Sequence, residues 1–373
     1  MQEKISKGQF SKLVTLIIIS TVFLTLPRRL ALVAQWDSPI SLVLGYGAAW
    51  FLGVIVIWLS LKHPNDTFIE YSKKILGPYL GSLFGIMVFL VIMNLNILTI
   101  RLAGATYIAA GYTQTPIIVF AGATVLLSVW ILKEGIEVLA RVAEFFYFPL
   151  ILSIAILPLT VIDKLSLDNL FPLLAFGLEP VLSGAMLAFS IGIEHVFLVG
   201  LLISKIQNLD KKVYHQHLYG VVIGAFIILL MVASTIGVFG VADIQRFYLP
   251  PYQLAKVVEI GAFINGIEII LLGIWTIASL LEVTIFLYIS VHILSQLIYV
   301  SYRDIIVPLA YLFLSMAMAP MDNHQVESEF TIVGQFGILP VALLLVAFLV
   351  PAQLFYQWKT KQKLGGDSNK EAK

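Results

Sequence analysis

Five charged side chains stand where the sequence is otherwise apolar: Arg101, Glu144, Glu194, Glu268 and Glu282. A carboxylate or guanidinium within a bilayer is costly unless it is paired, faces a cavity or reaches an interface. Glu268, Trp275 and Glu282 recur every seventh residue, which puts them on one helix face over about 21 Å. Thr276, Ser279 and Thr284 add hydroxyls around Glu282, so that level suits a ligand-binding role, whereas Glu268 suits an ion pair near the interface. Glu194 follows Gly192 closely. There it can orient unwound backbone, meet a substrate ammonium or exchange a proton. Arg101 follows Asn94 by seven residues, with Asn96 and Thr99 nearby, and two roles stay open: a structural pairing with Glu194 or Glu268, or the lining of an outer path to an anionic group. Glu144, just after Arg141, reads as an interfacial salt bridge.

No hydrolase or phosphate-binding chemistry can be assembled. The chain has no cysteine, no His-Glu-x-x-His, no Gly-x-Ser-x-Gly and no phosphate loop. His195 forms no metal motif, His292 reads as a packed polar residue, and His215 and His217 are expected on a cytoplasmic loop without a partner at zinc-ligand spacing. The expectation is a protein that is no enzyme and takes no cofactor.

The elements that position these residues follow from composition. Hydrophobic residues make up 60% of the 373 positions and charged residues only 12%. A soluble domain is nearer half apolar and a quarter charged, so the chain reads as all-α and polytopic. A net charge of +1 offers no basic surface for nucleic acid. Apolar runs predict ten transmembrane helices, at about 11–35, 40–61, 79–110, 116–132, 142–162, 180–204, 216–241, 262–300, 305–320 and 334–357. The third and eighth are too long to stand upright in ~30 Å of hydrocarbon. With this count 17 lysines and arginines fall on the side of both termini, against Lys164, Arg246 and Lys256 on the other, which puts both termini in the cytoplasm. One membrane domain is expected over 1–357, followed by a disordered tail over 358–373.

Ten spans divide into five and five, and an odd number per half inverts one half against the other. The expected repeats run from about 11 to 162 and from 180 to 357. The first helix of each carries an interruption. In the first span Pro27 lacks an N–H, and Ser20, Thr21 and Thr25 compete for backbone carbonyls. In the sixth, Gly192 allows unwinding beside Glu194. Interrupted helices present half-helix dipoles and free carbonyls to a central cavity, which suits a zwitterion or a cation.

Leu24-Thr25-Leu26-Pro27-Arg28 resembles the first-span signature of the spore germination permease family, the B subunits of germinant receptors. The resemblance continues through Arg101, Thr115-Pro116-Ile117, Gly192-Ile193-Glu194, Ile267-Glu268 with Trp275, and Pro320 with Asp322-Asn323 and Gln325-Val326. That family is similar in turn to amino-acid/polyamine/organocation transporters with the LeuT-like five-plus-five fold. Such proteins usually hold a substrate carboxylate on a Gly-x-Gly stretch, where this chain has Ser20-Thr21-Val22.

The resemblance implies a germinant-sensing subunit in the inner membrane of the spore, binding a small ligand such as an amino acid beside A-type and C-type partner subunits. Its short loops, which offer no output domain, agree with a need for partners. An ion-coupled amino-acid transporter is the alternative, and a scaffold with a vestigial cavity would leave Glu194 and Glu282 without a purpose. The candidate ligand-binding residues are Thr21, Phe23, Thr25, Leu98, Arg101, Ser190, Gly192, Glu194 and Glu282.

Overall fold

The computed structural model describes residues 4–20, 22–260, 264–319 and 323–359. These residues are helical apart from a hairpin of two-residue strands, β1 (Glu259–Ile260) and β2 (Ile264–Asn265), paired antiparallel. The helices are α1 (Lys7–Ile19), α2 (Val22–Ala34), α3 (Ser38–Lys62), α4 (Phe68–Leu76), α5 (Pro78–Ala109), α6 (Ile117–Lys133) and α7 (Ile136–Leu159). They continue with α8 (Leu178–Gly192), α9 (Glu194–Leu202), α10 (Val213–Ile244), α11 (Pro250–Lys256), α12 (Glu268–Ile298), α13 (Tyr302–Ala317), α14 (Asn323–Ile332) and α15 (Leu339–Leu344). Two π-helical stretches, Val333–Ile338 and Leu345–Leu349, flank α15.

Among the described residues, seven segments are long and apolar enough to cross a bilayer. One of them, Phe23–Lys62, contains the turn Gln35–Asp37 that separates the first expected span from the second. Helices α5 and α12 hold 32 and 31 residues. At 1.5 Å per residue each is about 45–50 Å long, so both exceed the hydrocarbon thickness as expected.

The helix starts follow local chemistry. Ser6 and Gln9 form a capping box at α1, and Thr67 and Glu70 form another at α4. In each the side-chain oxygens accept from backbone N–H groups that have no partner within the helix. Pro78 opens α5, where a missing N–H costs nothing.

Packing exchanges partners between the two halves. Helix α1 of the first half lies along α10, the second helix of the other half, while α8 lies along α3. Both contacts are close because glycine replaces a side chain. A Cβ on Gly220 of α10 would meet the Ser11 carbonyl at 2.7 Å, and one on Gly45 of α3 would meet the Ala185 carbonyl at 2.5 Å. Such reciprocal pairing is what an inverted repeat produces. The interior is filled by isoleucine, leucine, valine and aromatic side chains, with Trp275 and Tyr46 among the largest that are fully buried. Phe145, Phe148, Trp130 and Leu126 stay on the outer surface, as a bilayer-facing exterior requires.

The first interruption falls between Ile19 and Val22. Ser20 donates both its N–H and its Oγ–H to the Leu16 carbonyl, which closes α1. Helix α2 then runs through Thr25 and Pro27, so the interruption precedes both; Thr21 itself lies outside the described residues. The second interruption is at Ile193, between Gly192 and Glu194. Tail residues from 360 onward also lie outside the described residues.

One expectation is corrected by position. His217 is not on a loop without a partner; it lies in the second turn of α10, fully buried, with its Nε2 3.0 Å from Nε2 of His195. The apolar run of α10 begins earlier than hydropathy suggested, because Val213 and His217 share the face that packs inward.

Candidate functional site

Most of the candidate residues cluster in sequence around the two interruptions. Phe23 and Thr25 lie in the first turns of α2 and are buried, as are Leu98 on α5 and Ser190 on α8. Glu194 is the first residue of α9, so its carboxylate stands where backbone N–H groups at a helix start are free to favour negative charge. Glu282, on α12, is almost completely buried. Arg29 of α2 and Tyr46 of α3 are buried as well. Tyr46 of α3 lies against Gly192, 3.3 Å from where a Cβ there would be. Two carboxylates, a phenol and a guanidinium are thus buried within an apolar bundle.

The wall opposite α8 comes from the last helical segment. Ser190 Oγ–H donates to the Leu187 carbonyl at 2.8 Å, and a Cβ on Gly334 would lie 3.0 Å from Ser190 Oγ. Gly334 belongs to the π-helical stretch Val333–Ile338. Wide turns of this kind recur at functional sites. A cavity of about 410 Å³ opens between α2, α8 and this segment, lined by Arg28, Arg29, Ser183, Thr331, Gln335 and apolar neighbours. Arg28 donates from Nε to the Gln245 carbonyl at 3.2 Å, and Arg29 reaches Thr331 Oγ1 at 3.4 Å while lying over the Phe330 ring.

Arg101 is placed differently from the others. Its Nη1 donates to the carbonyls of Ala317 and Ala319, at 3.3 and 3.2 Å. These are the orphan acceptors at the end of α13, so the guanidinium caps that helix. Glu144 pairs with Lys12 of α1, and Arg141 pairs with Glu137 at 3.5 Å, so the interfacial salt bridge forms with a partner other than the sequence neighbour.

The ends of α1 and α9 remote from the interruptions are tied together. Ile5 pairs with Ile206 as a parallel bridge: Ile5 N–H donates to Lys205 O, and Gln207 N–H donates to Ile5 O, both at 2.9 Å. Lys4 Nζ donates to Ser204 O at 3.0 Å, and Lys7 pairs with Asp210 at 2.7 Å. The Lys7 ammonium and the Lys212 N–H hold the Asp210 carboxyl below its ordinary range. The half-helices α1 and α9, which meet the interruptions at one end, are thus joined at their other ends.

No group of three histidine, aspartate or glutamate side chains able to hold a metal occurs among the described residues. The cavity between α2, α8 and the π-helical stretch is lined by the two arginines and by neither Glu194 nor Glu282. Sequence reasoning singled out Glu194 and Glu282 as candidates and anticipated the interrupted helices. It missed Tyr46, Arg29 as a member of the cluster, and Gly334, because each looks ordinary in its apolar or interfacial surroundings.

Residues 4–326 match the family described as spore germination protein. Spore germination protein KB of Bacillus subtilis (strain 168) is 25% identical over 333 residues, covering 88% of each chain. Spore germination protein YndE of the same organism is 30% identical over 288 residues, covering 73% of this chain and 75% of the relative. Among solved structures, MhsT in complex with L-phenylalanine superimposes with a TM-score of 0.62 at 13% identity, over 93% of this chain and 90% of that one. Mhp1, a nucleobase-cation-symport-1 family transporter in a closed conformation with bromovinylhydantoin bound, gives 0.60 at 12% identity, over 89% and 75%. The fold is that of the LeuT-type transporters.

Proposed function

Because the chain belongs to the family of spore germination proteins, we propose that it is the germinant-sensing membrane subunit of a spore germinant receptor. It binds a small ligand, such as an amino acid, between the two interrupted helices. The reading is supported by the two helix interruptions, after Ile19 and at Ile193, together with the buried carboxylates Glu194 and Glu282. Such a region offers charge to an ammonium group while the apolar bundle excludes water. Its fold is shared with a protein whose solved complex holds L-phenylalanine, which supports a ligand of that size.

Ten crossings with both termini in the cytoplasm belong to the same proposal, as do the inner membrane of the spore and A-type and C-type partner subunits. A single membrane domain over 1–357 and the candidate residues Thr21, Phe23, Thr25, Leu98, Ser190, Gly192, Glu194 and Glu282 complete it. Ligand occupancy changes the membrane domain, and the partners carry the signal onward; no bond in the ligand is broken. A second reading, ion-coupled amino-acid transport, draws on the two carboxylates beside interrupted helices, where a coupling cation would be neutralised. Measuring uptake of labelled amino acids into vesicles alongside germination of intact spores separates the two. Sensing predicts a germination response without accumulation, and accumulation against a gradient favours transport.

A further inference from the structure

The break in α8–α9 leaves a bookkeeping problem in hydrogen bonds. In a continuous helix the Val196 N–H would bond the Gly192 carbonyl. Here it donates to Ile193 O at 2.9 Å, which strips Gly192 O of its helical partner. The side chain three residues along replaces it: His195 Nδ1 lies in hydrogen-bond contact with Gly192 O. A carbonyl only accepts, so Nδ1 carries the proton. Burial favours neutral rings, which makes His195 Nε2 an acceptor and His217 Nε2, at 3.0 Å, the donor to it. The order of donation is then fixed from α10 to the break: His217 Nε2–H to His195 Nε2, His195 Nδ1–H to Gly192 O. His217 Nδ1 is left as a buried lone pair without a hydrogen-bond partner. Helix α3 makes room for both rings at Gly53, where a Cβ would sit 2.5 Å from His217 Nε2 and 3.3 Å from His195 Nε2.

We propose that His195 and His217 are positioning residues for the central site: together they cap the Gly192 carbonyl and fix the direction in which Glu194 leaves the interrupted helix. The capping bond closes a ring from Gly192 to His195 that contains Glu194. The His217 bond anchors that ring to α10, so Glu194 is held at one height and one azimuth. Neither histidine touches the ligand. This inference rests on the ligand-binding reading above, and its test is arranged so that the two fail separately.

The test compares His217→Gln with His217→Asn. A glutamine amide nitrogen falls where His Nε2 was and can donate to His195, whereas an asparagine amide stops at the Nδ1 position and cannot. Spores in which each variant replaces the native chain are titrated with each of the twenty L-amino acids in turn, with immunoblots of the spore membrane. Deuterium uptake across residues 189–198 is measured on the purified full-length chain in nanodiscs. The expected result is a near-native germination midpoint for Gln and a midpoint about tenfold higher for Asn at equal abundance, the usual effect of one lost buried hydrogen bond. Uptake should rise for Asn and stay native for Gln. Equal behaviour of the two variants in uptake, or an unchanged midpoint for Asn in responding spores, overturns the proposal. If native spores answer none of the amino acids, the ligand reading fails, and the uptake comparison alone still decides the role of the pair.

Discussion

Lys7 and Asp210 meet at 2.7 Å and join the start of α1 to the segment between α9 and α10. Both partners lie outside the spans, and the backbone bridge of Ile5 with Ile206 is next to them. The two half-helices that bound the central region thus share one clamp.

The clamp carries a pH dependence of known sign. Lys7 and the Lys212 N–H depress the Asp210 pKa in the folded chain, so their stabilisation is present above the ordinary carboxylate range and lost as pH falls through the depressed value. The protection factors of the Ile5 and Gln207 amides, with the intrinsic pH dependence of exchange divided out, should be high at pH 7 and fall in acid. Asp210→Asn should show at pH 7 the low protection that the native chain shows in acid, with little further change on acidification.

Arg101 is expected to act on stability. Removing its guanidinium leaves the Ala317 and Ala319 carbonyls without that donor, a loss of about 1–3 kcal/mol. Arg101→Ala should lower the amount of protein in the membrane and its melting temperature. The germination midpoint of the protein that remains should match the native one. A shifted midpoint at native abundance would instead return Arg101 to the ligand path.

Glu282 should behave in the opposite way. Glu282→Gln keeps the shape and removes the charge, so abundance stays near native while the response to an amine-bearing germinant weakens by ~1–3 kcal/mol. That corresponds to roughly five- to 150-fold in effective concentration. Dose–response curves of spores with matched immunoblots check it, and an unchanged midpoint at normal abundance removes Glu282 from the site.

Topology is open to direct labelling. Cysteine placed at Asn323 should react with an impermeant reagent from outside, and cysteine at Lys211 only after permeabilisation, since the native chain has no cysteine to interfere. Reaction of both from one side contradicts ten crossings with cytoplasmic termini.

Much of this architecture is legible in the sequence for a physical reason. Apolar runs of bilayer length and charges that lipid would not tolerate are strong one-dimensional signals, so the spans, Glu194 and Glu282 stand out. Interruptions are softer. Pro27 reads as the breaker of the first helix, yet α2 runs on through it, and the break falls earlier, at Ser20, whose hydroxyl donates to the Leu16 carbonyl. Contacts between distant segments leave no local trace. Nothing in the run around His217 points to His195, 22 positions earlier, and Tyr46 reads as one more aromatic until Gly192 is seen beside it.

The central claim is that a small ligand occupies the region between the interrupted helices and meets Glu194. Calorimetric titration of the purified chain in nanodiscs with each of the twenty L-amino acids, repeated on Glu194→Gln, tests it most directly. The account predicts saturable binding of one or a few of them at one site per chain, weakened at least fivefold by Glu194→Gln with the melting temperature unchanged. Saturable binding that is equally tight in the variant, or no binding of any of the twenty to the native chain, would contradict it.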